Sequence, residues 1–208
     1  LSSRCRLTLL PSSRSLQIQV TKDNTKRLNI ELIFGVQRYC SDVFLCSQSS
    51  ANITTSSMMW TESYAVAEAE FFRHVARRAP HKNCELKCLQ ACARILEGTA
   101  FSSSTLKTVV MHVLTLLPMS RWRRRDFLPR LRDIMWYLLC CVEHKHLNPF
   151  FIANENVPNA IILPLDLRTA EPLNLFQRLA QDPDAHIEAL RELMELQDQL
   201  IRLLLYGH

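Results

Sequence analysis

The sequence has 208 residues, 48% hydrophobic and 22% charged, with a net charge of +5. This is ordinary globular composition, with apolar mass for one sizeable core and a small second unit. Its three glycines, Gly35, Gly98 and Gly207, lie far apart, which excludes a glycine-rich loop cradling phosphate. The longest apolar run, Ile134 to Val142, has nine residues, well short of the roughly 20 that cross a bilayer.

In chain order, the first 46 residues read as strands. The chain opens on Leu1 rather than Met and reads as a fragment. Leu16, Ile18 and Val20 alternate with Gln17 and Gln19, and Leu28, Ile30, Leu32 and Phe34 alternate again beyond Lys22-Asp23-Asn24-Thr25. Alternation on both sides of an Asp/Asn turn predicts a hairpin. Two or three strands do not hold a fold alone, so these are expected to pair with sheet outside the sequence or to lie against helices. Residues 47–58 have the uncharged Ser/Thr/Asn composition of a linker.

Residues 59–208 read as a helical domain. A first helix is expected from about Thr61 to Arg78, with Tyr64, Ala67, Phe71, Phe72 and Val75 on one stripe. A second is expected from about Lys82 to Glu97, stopped by Gly98, with Cys84, Cys88, Cys92, Ile95 and Leu96 inward. The third, capped at Ser102 to Ser104, carries Leu106, Val109, Val110, Val113, Leu114 and Leu117 at helical spacing. A fourth, from about Arg124 to Lys145, tolerates Pro129 in its opening turns and turns Phe127, Leu131, Ile134, Met135, Leu138, Leu139 and Val142 inward. A proline-punctuated loop from Asn148 to Pro172 holds the apolar anchors Phe150, Phe151, Ile161 and Ile162. A short helix over about 172–180 precedes a last one that starts with Asp182 as N-cap and Pro183 in its first position. The fold class predicted is α+β, mainly α: a C-terminal helical bundle preceded by a few strands.

His81, Cys84, Cys88 and Cys92 suggest a metal site at first sight. Consecutive ligands four apart on one straight helix cannot wrap a tetrahedral ion, and the stripe continues into Ile95 and Leu96, so it reads as core. Cys140 and Cys141, beside His144 and His146, read as small buried residues and a polar helix end. The eight cysteines show no disulfide framework, which points to a reduced, cytosolic compartment. No Gly-x-Ser-x-Gly elbow exists. Among carboxylates in the strand region, Glu31 stands out because it lies mid-strand, whereas Asp23 and Asp42 lie at a turn and an end. Six arginines fall between Arg121 and Arg132 against Asp126 alone. Of these, Arg121, Arg123, Arg124, Arg125 and Arg130 are the candidate anion-binding residues.

The run Leu28-Asn29-Ile30-Glu31-Leu32-Ile33-Phe34 resembles the strand that carries the third metal carboxylate in nucleotidyltransferases of the cyclic GMP-AMP synthase and Mab-twenty-one-like superfamily. Trp60-x2-Ser63-Tyr64-x3-Glu68-x-Glu70-Phe71-Phe72 resembles the first helix of the helical half of Mab-twenty-one domains, and Cys88-Leu89 through Ile95 to Glu97 resembles the next. Thr105 to Val110 and Leu147-Asn148-Pro149-Phe150-Phe151-Ile152 with Asn156 resemble two further family segments. The wording Ser104 to His112 is most similar to the inositol trisphosphate receptor-interacting protein family. The resemblance implies a helix-hairpin-helix or helix–two-turn–helix-like domain after a nucleotidyltransferase-type sheet. It also implies a single-pass membrane anchor upstream, with this domain cytoplasmic, and a protein partner such as an inositol trisphosphate receptor. The family's active enzymes need a Gly-Ser turn and a pair of acidic residues on one strand. No Gly-Ser dipeptide is present, so Glu31 would be one member of an incomplete triad, and the expectation is a non-enzyme without cofactor or metal.

Three readings follow. The first is a non-catalytic interaction and regulatory module of a membrane-anchored protein. The second is the C-terminal half of an active nucleotidyltransferase that uses Glu31 as metal ligand. The third is nucleic-acid or anionic-lipid binding through Arg121–Arg132, for which Trp122 and Phe127 are thin support as stacking aromatics.

Overall fold

A computed structural model describes residues 5–10, 15–22, 26–47, 60–79 and 83–206. Residues 23–25 of the expected turn, most of the expected linker and His81 lie outside these. The chain is mixed in class, with small antiparallel sheets and several helices, and divides into two compact units. One comprises Leu1–Ala69 with Ile161–Pro164, the other Glu70–Ala160 with Leu165–His208.

In the first unit, β1 (Cys5–Leu10), β2 (Ser15–Lys22) and β3 (Lys26–Ile33) form an antiparallel sheet in the order β1-β2-β3. The expected hairpin is β2–β3. Its register sets Ile18 opposite Ile30 and Val20 opposite Leu28, while Leu9 and Leu7 of β1 continue the same rows. Because side chains alternate with period two, one face is apolar and the other polar. On the polar face the Gln17 amide donates to Glu31 Oε1 at 3.2 Å and the Gln19 amide to Asn29 Oδ1 at 3.1 Å. On the apolar face Leu7, Leu9, Leu28 and Leu32 are all exposed.

A second antiparallel sheet is made by β4 (Gly35–Gln37), β5 (Phe44–Ser47) and β6 (Trp60–Ser63). Gly35 is needed for its close approach: a Cβ there would come within 2.8 Å of Cys46 Sγ. Asp42 ties the turn before β5 to a distant segment. Its N–H donates to the Ile162 carbonyl and its Oδ2 accepts from the Ile162 N–H, both at 2.8 Å. Ile162 was expected as an apolar anchor, yet its side chain is exposed and its backbone makes the attachment. The first helix was expected to begin near Thr61. It begins at Ala65, because Trp60–Ser63 pairs with β5 instead.

The helices are α1 (Ala65–Arg78), α2 (Glu85–Ile95), α3 (Ser103–Leu116), α4 (Phe127–Glu143), α5 (Leu165–Thr169), α6 (Gln177–Gln181) and α7 (Pro183–Tyr206). Their stripes follow the sequence periodicity. Phe71 and Val75, Cys88 and Cys92, Val109, Val110 and Val113, and Ile134, Met135, Leu138 and Val142 are buried. Helix α4 packs against α2, α3 and α7. The caps fall where expected. Ser102 Oγ accepts from the Thr105 N–H at 3.1 Å, Gly98 has φ +85° just beyond α2, and Asp182 Oδ1 accepts from the amides of Asp184 and Ala185 at 3.1 Å. The loop expected over Asn148–Pro172 contains the five-residue helix α5, and α6 begins at Gln177 rather than near Pro172.

The segment Leu147–Phe151 is a packing hub. Phe150 meets Phe71 at 4.8 Å and Phe151 at 5.2 Å between ring centroids, and His112 Nε2 donates to the Asn148 carbonyl at 3.0 Å. The Leu147 N–H donates to Asn174 Oδ1, and the Asn174 amide reaches the Lys145 carbonyl at 2.8 Å.

Leu138 is fully buried on the inner face of α4, whereas Leu116 ends α3 in solvent. Leu138→Ala is expected to cost about 2–5 kcal/mol, and Leu116→Ala to stay within about 0.5 kcal/mol. Urea denaturation of the two variants checks this.

Candidate functional site

Glu31 sits mid-strand on the polar face of β3. It accepts from Ser15 Oγ at 2.6 Å and from the Gln17 amide at 3.2 Å, and these two donors hold its carboxyl below its usual value. It borders an open depression of 630 Å³ that Phe34, Phe44, Glu62 and Val66 also line. Glu62 is itself engaged, by Arg38 and by the Tyr64 hydroxyl. Among the described residues no group of three His, Cys, Asp or Glu side chains lies close enough to hold a metal ion.

The cysteine stripe of α2 is interior. Cys84, Cys88 and Cys92 are almost wholly inaccessible, and Cys88 Sγ donates to the Phe127 carbonyl at 3.8 Å. Burial pushes all three thiols up, Cys92 to about 12, and raises Cys141 to about 11. These are inert, packed thiols rather than nucleophiles.

The arginine cluster is built as a display. Pro118 to Asp126 folds as two successive 3-10 turns, Met119–Arg121 and Arg124–Asp126. Between them Trp122 is fully buried, while Arg121, Arg123, Arg124 and Arg125 are exposed. The Trp122 carbonyl accepts the Cys84 N–H at 2.9 Å, and Arg123 bridges to Asn83 in a short antiparallel contact. The segment is thereby pinned to the start of α2. Arg130 stands apart from the exposed group, since only 10% of its side chain is accessible and it pairs with Asp133 at 2.8 Å. Its Nε and Nη1, with Glu85 Oε2, are buried without a hydrogen-bond partner, and burial raises the Glu85 carboxyl.

Sequence reasoning missed a second set of residues. On the outer side of α4, Leu128, Arg132 and Trp136 are all exposed, Trp136 to 61%. Their spacing of four is legible in the sequence, and the inner stripe expected for this helix leaves all three out, but nothing in the sequence marked them as a set.

Residues 82–161, which hold α2 to α4 and the Leu147–Phe151 hub, match the family profile described as the Mab-21 protein HhH/H2TH-like domain. The chain is 35% identical over 204 residues, 94% of its length, to inositol 1,4,5-trisphosphate receptor-interacting protein-like 1 of Rattus norvegicus, and 34% identical over the same share to that of Mus musculus. Over 179 residues, 81% of its length, it is 33% identical to the inositol 1,4,5-trisphosphate receptor-interacting protein of Homo sapiens. The chain spans 37% of the length of the two like-1 relatives and 32% of the human one.

The thiol burial has a pH consequence. An unfolded chain begins to lose the Cys92 proton near 9.0, while the folded chain holds it to about 12. The folded state therefore binds more protons between those values, and the stability that Cys92 burial supports is lost as pH rises across that window. Iodoacetamide at about pH 8 should label exposed Cys5 and Cys40 while sparing Cys88 and Cys92. Mass spectrometry that finds Cys88 or Cys92 labelled as fast as Cys40 in the folded chain would contradict the packing described.

Proposed function

We propose that the chain is a non-catalytic interaction and regulatory module of a membrane-anchored protein, with its anchor outside this sequence and this part on the cytoplasmic side. In this reading β1–β3 derive from the last strands of a nucleotidyltransferase-type sheet, residues 59–208 form the helical Mab-21-type domain, and a protein is the partner. The observation that carries it is the alignment over 81% of the chain with the human protein whose name states that it interacts with the inositol 1,4,5-trisphosphate receptor, beside the alignment over 94% with the like-1 relatives. The setting of Glu31 supports the non-catalytic part. Its carboxylate is engaged by Ser15 and Gln17 in the manner of a cross-strand polar ladder on an exposed sheet face.

The test is co-precipitation of the purified 208-residue chain with the inositol 1,4,5-trisphosphate receptor from detergent-solubilised membranes. Retention that survives Glu31→Gln is the expected result. No retention, or nucleotidyl transfer that Glu31→Gln abolishes, would refute the reading.

A further inference from the structure

Helix α4 has two unlike sides. Leu131, Ile134, Met135, Leu138, Leu139 and Val142 bury one stripe against α2, α3 and α7, which fixes the rotation of the helix about its axis. That rotation turns Leu128, Arg132 and Trp136 outward, four residues apart on one stripe. Leu128 to Trp136 span about 12 Å at 1.5 Å per residue, and the exposed Arg124 and Arg125 lie in the 3-10 turn that leads into the helix. Arg125 lies 4.0 Å from Asp126, and among the described residues Arg124 and Arg132 take part in no ion pair. The first turn of α4 adds the partial positive charge of a helix N-terminus.

Tryptophan and arginine are the side chains that most often carry binding energy at protein interfaces, because each combines large apolar area with a directed polar group. Here they are presented from a rigid base. Trp122 is locked inward and its carbonyl is bonded to Cys84, so the backbone that carries the neighbouring arginines loses little freedom on binding. We propose that the row Arg124, Arg125, Leu128, Arg132 and Trp136 is the docking line of the interaction module, and that it takes an acidic amphipathic segment of a partner protein. The proposal rests on the reading given under Proposed function and specifies its surface. Carboxylates of the segment meet the three arginines, and its aliphatic side chains lie on Trp136 and Leu128. Charge complementarity selects this occupant. A lipid surface is disfavoured because the face offers two apolar side chains separated by Arg132, whereas helices that lie in a membrane interface present a broad apolar face. Nucleic acid is disfavoured because Trp122, which lies amid the arginines, is buried and has no face free for a base.

The experiment uses three probes with the full chain: a synthetic amphipathic helix with leucines on one face and glutamates elsewhere, phosphatidylcholine vesicles containing phosphatidylserine, and duplex DNA. Each is titrated at about 50 and about 200 mM salt. The peptide is expected to bind, and to bind about tenfold or more weakly to Trp136→Ala and to the double variant Arg124→Glu, Arg125→Glu. Both variants alter exposed side chains, and unchanged urea midpoints confirm that they fold. Failure of the peptide to bind, equal binding by Trp136→Ala, or tighter binding to vesicles or DNA overturns the proposal. If the receptor is still retained by both variants, the interaction reading stands and this surface is discarded.

Discussion

The burial of Trp122 is the constraint on which the arrangement of the basic surface depends. Its indole lies in the interior while four arginines around it face water, so the backbone from Pro118 to Asp126 has to turn in and out within a few residues. Two 3-10 turns supply that path, and the Cys84 N–H closes it by donating to the Trp122 carbonyl. Burying an aromatic of this size removes on the order of 200 Å² from water, or about 5 kcal/mol as an upper figure, which the buried and unpartnered indole N–H reduces by about 1–3 kcal/mol. Ordering one residue of backbone costs about 1–2 kcal/mol, so the indole alone offsets the ordering of a neighbour or two. The same bond positions the first residues of α2, and Phe127 follows at once to open α4.

From that start α4 joins packing to display. Its inner stripe is contiguous with the cysteine stripe of α2 and the valine-rich face of α3, and these small and branched side chains let the helices approach closely. The outer stripe then has no freedom of its own, because rotating α4 to hide Trp136 would expose Ile134 and Leu138. Arg130 shows how strict this division is. It lies between the two stripes, is drawn inward, and has Asp133 to balance its charge at the edge of the core.

The helical part was largely legible because each long helix buries one stripe, and a 3.6-residue period survives any particular topology. The caps at Ser102, Gly98 and Asp182 were legible for a local reason: each satisfies backbone groups within its own turn. What escaped depended on distant partners. Trp60–Ser63 has nothing in its own sequence that opposes a helix start, and it becomes a strand because Phe44–Ser47 lies beside it. Trp122 is flanked by arginines, so its surroundings read as solvated, and the bond that holds its carbonyl comes from the α2 start some 40 residues earlier. Trp136 sits inside the longest apolar run but outside the inner stripe expected for its helix, and the rotation of α4, set by its neighbours on both sides, turns it out. At Glu31 the sequence showed the unusual position, but the two donors that engage it come from β2 through the hairpin register.

The central claim is that the arginines stand on a fixed base rather than on a solvated loop. Amide hydrogen exchange at Cys84, whose N–H donates to the Trp122 carbonyl at 2.9 Å, measures this directly. Protection comparable with that of the core amides of α4 is the predicted result. Exchange of the Cys84 amide at the rate of an unstructured chain, while α4 remains protected, would contradict the account.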